Sequence, residues 1–86
     1  MSACLMEGSI MLEIISPEKM LYNGEVTKVM LPGSSAPFTV LYNHAPLISL
    51  LRKGDVVWSA GGEETRMPID GGFVEVKENC VTVCVE

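Results

Sequence analysis

The chain carries one histidine and only six lysines and arginines in 86 residues, with three cysteines, and each scarcity removes a class of function. A single imidazole leaves little for acid–base or metal chemistry. His44 could act as a general base with Asp55 or Asp70 behind it, but no serine stands in a G-x-S-x-G elbow. Cys4, Cys80 and Cys84 do not converge with His44 at a usual ligand spacing, so no metal and no catalytic residue is expected. Gly33-Ser34-Ser35-Ala36-Pro37 lacks the second glycine and the lysine of a phosphate-cradling loop, and no cofactor is expected either. Eleven acidic side chains against six basic ones give a net charge of −5, which disfavours nucleic acid and anionic lipid as partners. An odd number of cysteines without a C-x-x-C fits reduced thiols in a cytosolic compartment. Cys80 and Cys84 share a strand parity but would lie roughly 13 Å apart, beyond disulfide reach. No apolar run approaches the roughly 18 residues of a membrane helix, and the start lacks the basic cluster and apolar stretch of a signal peptide. A soluble chain without lipid insertion is expected.

What the chain does have is apolar material, 48 % of its residues, in a length that hides only about 63 % of its unfolded surface. Some of that material is expected to face a partner. Residues 1–10 show no sustained period and read as a loosely held, flexible N-terminal extension; residues 11–86 read as one domain. From Met11 onward Pro17, Asn23-Gly24, Pro32-Gly33, Pro37, Asn43, Pro46, Gly54, Gly61-Gly62, Pro68, Gly71-Gly72 and Glu78-Asn79 break the chain into intervals too short for ordinary helices. Short Val-, Ile- and Thr-rich strands between such turns are the pattern of an all-β sandwich or barrel. Val81, Val83 and Val85 alternate with Thr82, Cys84 and Glu86, and Val74 and Val76 with Phe73, Glu75 and Lys77, so these runs read as a hairpin with one wet face. Val26 to Leu31 mixes parities, as a bulge would. Leu47 to Leu51 reads as a strand, or Ala45 to Leu51 as a helical turn opened by Pro46.

Leu31 to Leu51 holds Phe38, Leu41, Tyr42, Leu47, Ile48 and Leu50 among 21 residues with no acidic group. One parity of such strands stays outside a sandwich unless something covers it, which points to binding. Lys28-Val29-Met30 resembles part of the modified-lysine site of a biotin or lipoyl carrier, but Thr27 stands where methionine is wanted and the run continues as a strand.

Leu12-Glu13-Ile14-Ile15-Ser16-Pro17-Glu18-Lys19, Gly24-Glu25-Val26, Leu31-Pro32-Gly33, His44-Ala45-Pro46-Leu47, Gly54, Gly71-Gly72-Phe73-Val74-Glu75-Val76 and Val81-Thr82-Val83 carry a further likeness. In order and spacing they resemble the N-terminal domain of the epsilon subunit of the F-type ATP synthase, over Met11 to Val85. The resemblance implies a ten-stranded β-sandwich of two five-stranded sheets. It implies a non-catalytic rotor part of the central stalk, bound to the gamma subunit and resting on the c ring, that couples ion-driven rotation to ATP synthesis. It places Ser16, His44, Ala45, Pro46, Leu47 and Ile48 toward gamma, and Gly33, Ser34, Ser35, Ala36, Pro37 and Phe38 toward the c ring. The family pattern usually has a glycine and an acidic residue at Ala36 and Pro37, and a proline-glycine pair at Tyr42-Asn43. The C-terminal helical hairpin common in the family, which inhibits ATP hydrolysis, has no counterpart in these 86 residues, so coupling without that brake is expected. The implied location is the cytoplasmic side of a bacterial cell membrane, in a peripheral complex. The isolated chain is expected to be a monomer with weak self-association through its greasy side. An unrelated β-sandwich interaction domain is the alternative.

Overall fold

The computed structural model describes residues 8–86. Nine strands form: β1 Ile10–Ile15, β2 Met20–Val26, β3 Lys28–Leu31, β4 Phe38–Val40, β5 Leu47–Leu51, β6 Gly54–Ala60, β7 Glu63–Ile69, β8 Gly72–Lys77 and β9 Cys80–Val85. They make a five-stranded sheet in the order β2-β1-β9-β8-β5 and a four-stranded sheet in the order β4-β3-β6-β7. All pairs are antiparallel except β1 with β9. The all-β sandwich is as expected from the turn spacing, but the described residues give five strands and four rather than five and five. Between β3 and β4, Pro32 and Pro37 lack the N–H that a ladder needs, and that segment contributes only an isolated bridge from Gly33 to Leu51.

Strand parity builds the core. Ile10, Leu12 and Ile14 from β1, Val74 and Val76 from β8, and Val81, Val83 and Val85 from β9 point inward from the larger sheet. Val29, Leu31, Val40, Val56, Trp58 and Ile69 meet them from the smaller one. Tyr22 reaches across from β2 to Trp58, with ring centroids 4.6 Å apart and planes tilted by 40°. Ile10 is fully buried as the first residue of β1, so it belongs to the sandwich and not to an N-terminal extension. The rest of the expected extension lies, for residues 1–7, outside the described residues, and Cys4 with it.

Two readings of the sequence change. The mixed parity of Val26 to Leu31 is a change of sheet, not a bulge: β2 ends at Val26, and β3 starts at Lys28 in the other layer. Val26 faces inward from one side and Val29 and Leu31 from the other, which costs one residue of phase. Thr27 at the crossing donates both its N–H (2.8 Å) and its hydroxyl (3.2 Å) to the Ser59 carbonyl. The register irregularity lies instead between Ile14 and Ile15, against Tyr22 and Met20 of β2. The helical alternative at Ala45 to Leu51 is also overturned, because Leu47 through Leu51 pair with Val76 through Gly72 as strand.

Two turns have both central residues at positive φ, Gly61-Gly62 (58° and 84°) and Glu78-Asn79 (53° and 61°), which matches the right-handed twist of the hairpins they close. Asn79 does more than turn the chain. Its Oδ1 accepts from the Asn43 N–H at 2.6 Å, its Nδ2 donates to the Asn43 Oδ1 at 3.2 Å, and its carbonyl accepts from the Met11 N–H at 2.9 Å. Asn43 is itself left-handed at φ 64°, so an amide pair clamps the loop between β4 and β5 to the β8–β9 turn. At the other end Gly33 is pressed against its own loop, where a Cβ would lie 2.5 Å from the Ala36 carbonyl oxygen and 3.0 Å from the Phe38 ring.

Gly33→Ala is therefore expected to lower unfolding stability by about 1–3 kcal/mol, read by urea denaturation, and an unchanged midpoint would show that the loop has room to spare. Asn79→Gly keeps the backbone angle and removes the clamp. Its expected signature is faster hydrogen exchange at the Asn43 amide with a stability loss of about 1 kcal/mol, while equal protection would mean that the loop holds itself.

Candidate protein-docking face

The outer face of the five-stranded sheet is laid out in rows by its register. Ile15 pairs with Cys84, Cys84 with Phe73 and Phe73 with Leu50, and Met20 stands opposite Ile15 at the far edge. This row contains no charged side chain. Leu50 is 66 % exposed and Phe73 45 %, so two large apolar groups sit in water next to each other. The neighbouring row runs Asn23, Glu13, Thr82, Glu75, Ile48, and Ile48 at 75 % is the most exposed large apolar residue described. A third runs Glu25, Met11, Cys80, Lys77. An open groove of about 420 Å³ follows the apolar row past Ile15, Ser16, Pro17, Leu50, Phe73 and Glu86.

The residues that the family likeness assigns to gamma do not form one cluster. Ser16 follows β1 beside the apolar row, in a turn where its hydroxyl donates to the Lys19 carbonyl (3.1 Å) and accepts from the N–H groups of Lys19 (3.2 Å) and Glu18 (3.4 Å). His44, Ala45 and Pro46 lie at the opposite end of the sheet, just before Leu47, which pairs with Val76. Leu47 is packed on the core, whereas Ile48 points out between the two ends. The Gly33 to Phe38 loop shares the Ser16 end: Ser34 donates its N–H to the Leu50 carbonyl at 2.9 Å, and Arg52 to that of Pro32 at 2.9 Å. Ser34, Ser35, Ala36 and Pro37 are exposed, Gly33 is buried and Phe38 packs on the core.

His44 is held by the backbone. Its Nδ1 lies 2.7 Å from the Ala45 carbonyl oxygen and is the donor there, and its own N–H donates to Leu41 at 3.1 Å. Neither Asp55 nor Asp70 orients it, since Asp55 pairs with Arg66 at 3.2 Å and Asp70 follows β7 at the other end of the sandwich. Arg66 also reaches Glu64 at 4.0 Å, an exposed pair of little weight. Lys28 is a ladder residue of β3, opposite Ser59, and not the tip of a hairpin. Among the described residues no group of three His, Cys, Asp or Glu side chains is placed to hold a metal ion. Cys80 and Cys84 are free thiols on the outer face.

Sequence reasoning missed Ile15, Phe73 and Cys84. A phenylalanine on the solvent parity of a strand, between Gly72 and the alternating Val74, was the signal for the face.

Residues 9–86 match the family model described as ATP synthase, Delta/Epsilon chain, beta-sandwich domain. The ATP synthase epsilon chain of Leptospira borgpetersenii is 42 % identical over 73 residues, covering 85 % of this chain and 58 % of that protein. That of Maricaulis maris is 40 % identical over 81 residues, covering 94 % and 61 %. The chain thus spans about three-fifths of the length of the curated relatives it matches. A chain in the cryo-EM structure of the Euglena gracilis mitochondrial ATP synthase, with OSCP, F1 and c-ring, superposes with a TM-score of 0.86 at 19 % identity over 96 % of this chain and 53 % of that one. One in the Tetrahymena thermophila mitochondrial ATP synthase central stalk and c-ring gives 0.74 at 14 % identity, over 96 % and 66 %. At such identities these structures speak to the fold. By its family match and its relatives, the chain belongs to the β-sandwich domain family of the ATP synthase delta/epsilon chains.

Proposed function

We propose that this domain is a non-catalytic part of the central-stalk rotor of an F-type ATP synthase, binding the gamma subunit and the c ring so that ion-driven rotation reaches the catalytic head. The observation that carries the reading is the row of Ile15, Cys84, Phe73 and Leu50, uncovered in a chain whose family is that of the epsilon subunit. Gamma lies along the outer face of the larger sheet, meeting Ser16 at one end, Ile48 in the middle and His44, Ala45 and Pro46 at the other. Leu47 supports Ile48 from below. The exposed Ser34 to Pro37 loop, held on β5 by the Ser34 hydrogen bond, meets the c ring with Gly33 and Phe38 as its inner posts.

The work such a part does is mechanical. Torque passes through a body without loss only if the body deforms little, and close-packed interiors have low compressibility. The fused layers provide that, with no buried side-chain N or O atom left unpaired among the described residues. The complex sits on the cytoplasmic side of the cell membrane, and the domain itself inserts nothing into lipid.

Immobilised gamma subunit is expected to retain the folded chain at low-micromolar concentration. Ile48→Asp, a change at a position 75 % exposed, should weaken retention by about tenfold or more with the melting temperature little changed. Absence of retention at tens of micromolar would overturn the rotor reading.

A further inference from the structure

The docking face has a charge pattern as well as an apolar row, and the pattern selects what covers it. The apolar row crosses all five strands, roughly 19 Å at the usual strand spacing. One row away, a distance of about 7 Å along the strands, Glu13 and Glu75 stand on either side of Thr82. Neither carboxylate has an ion-pair partner among the described residues, where the ion pairs are those of Arg66 on the other sheet. The only cation at an outward strand position of this sheet is Lys77, in the third row. A chain of net charge −5 therefore sets two unneutralised acidic groups beside its most exposed apolar strip.

We infer that this face is built for a protein surface with an apolar ridge about 19 Å long, flanked on one side by lysine or arginine side chains that reach Glu13 and Glu75. The inference rests on the gamma-docking reading and adds to it the chemistry of the surface docked. The apolar row supplies the area removed from water, while the carboxylates fix which way round the ridge lies. A ridge laid on with the opposite direction would leave both carboxylates desolvated at the rim without partners. A second copy of this chain fits less well, because it brings the same face and five more negative charges.

The test measures binding of the cognate gamma subunit by calorimetry in low and high salt, with the chain's own association state followed by sedimentation. Glu13→Lys with Glu75→Lys should weaken binding by about tenfold or more and flatten its salt dependence. Glu63→Lys with Glu64→Lys makes the same change of net charge on β7 of the other sheet and should leave both nearly unchanged. Phe73→Ser with Leu50→Ser should weaken binding by at least about 30-fold, and circular dichroism checks that this pair still folds. Equal effects of the two charge pairs would overturn the claim of facing cations, and wild-type affinity in both the apolar and the Glu13/Glu75 variants would overturn the face itself. Either result leaves gamma binding standing, whereas no binding by the wild-type chain removes the rotor reading as well. A dimer dissolved by Phe73→Ser, with gamma affinity unaltered, would assign the face to a second copy and overturn the proposal.

Discussion

Each strand of a two-layer sandwich shows alternate side chains to a single shared interior, and the other parity goes to an outer face that the fold itself cannot cover. In the larger sheet the inward parity is almost uniformly Val, Ile and Leu, and β1, β8 and β9 each contribute fully buried residues. That interior is enough to hold the two layers, with Tyr22 and Trp58 closing one side. The outward parity is then free to be chosen for something other than stability. Glu13, Glu25, Glu75, Thr82 and Lys77 give it a polar part, as solubility asks, and Ile48, Leu50 and Phe73 are large exposed apolar groups beside them.

Much of the fold was legible because hairpins are local. Val81, Val83 and Val85, the Glu78-Asn79 turn and the alternating β8 sit within 14 residues, and the reading of them needs no knowledge of the rest. The crossing at Thr27 was not legible, since a phase slip of one residue looks the same whether a strand bulges or changes layer. Only the hydrogen bonds to Ser59, 32 residues on, distinguish the two. The candidate docking face was legible in half. The acid-free stretch from Leu31 to Leu51 flagged β5, but the row it belongs to joins Ile15, Cys84, Phe73 and Leu50 from four separate strands. That row exists only through a parallel pairing of β1 with β9 that no turn announces.

The same geometry explains why residues assigned to one partner from sequence likeness alone fall at two ends. Ser16 lies near one mouth of the larger sheet and His44 near the other, with the exposed part of β5 between them. Two distant anchoring points with an apolar span between them resist rotation of one body on another better than a single cluster does. In the contact with gamma proposed above, that leverage serves the transfer of torque.

An exposed apolar face next to a free sheet edge invites unwanted strand addition, and here the edge strand β5 carries both Ile48 and Leu50. The Gly33 loop meets this hazard: Ser34 donates to the Leu50 carbonyl, and Gly33 bridges Leu51, so the end of β5 nearest the apolar row is already occupied. Gly33 is needed there because a side chain would strike Ala36 and Phe38 and lift the loop from the edge. At the other end Pro46 precedes the strand, and Asn43 is tied to Asn79, which limits how far that loop can peel back. The loop that projects from the domain at the Ser16 end is thus also the one that blunts its most exposed edge. A change in its length would alter both the surface it presents and the tendency of the free domain to aggregate.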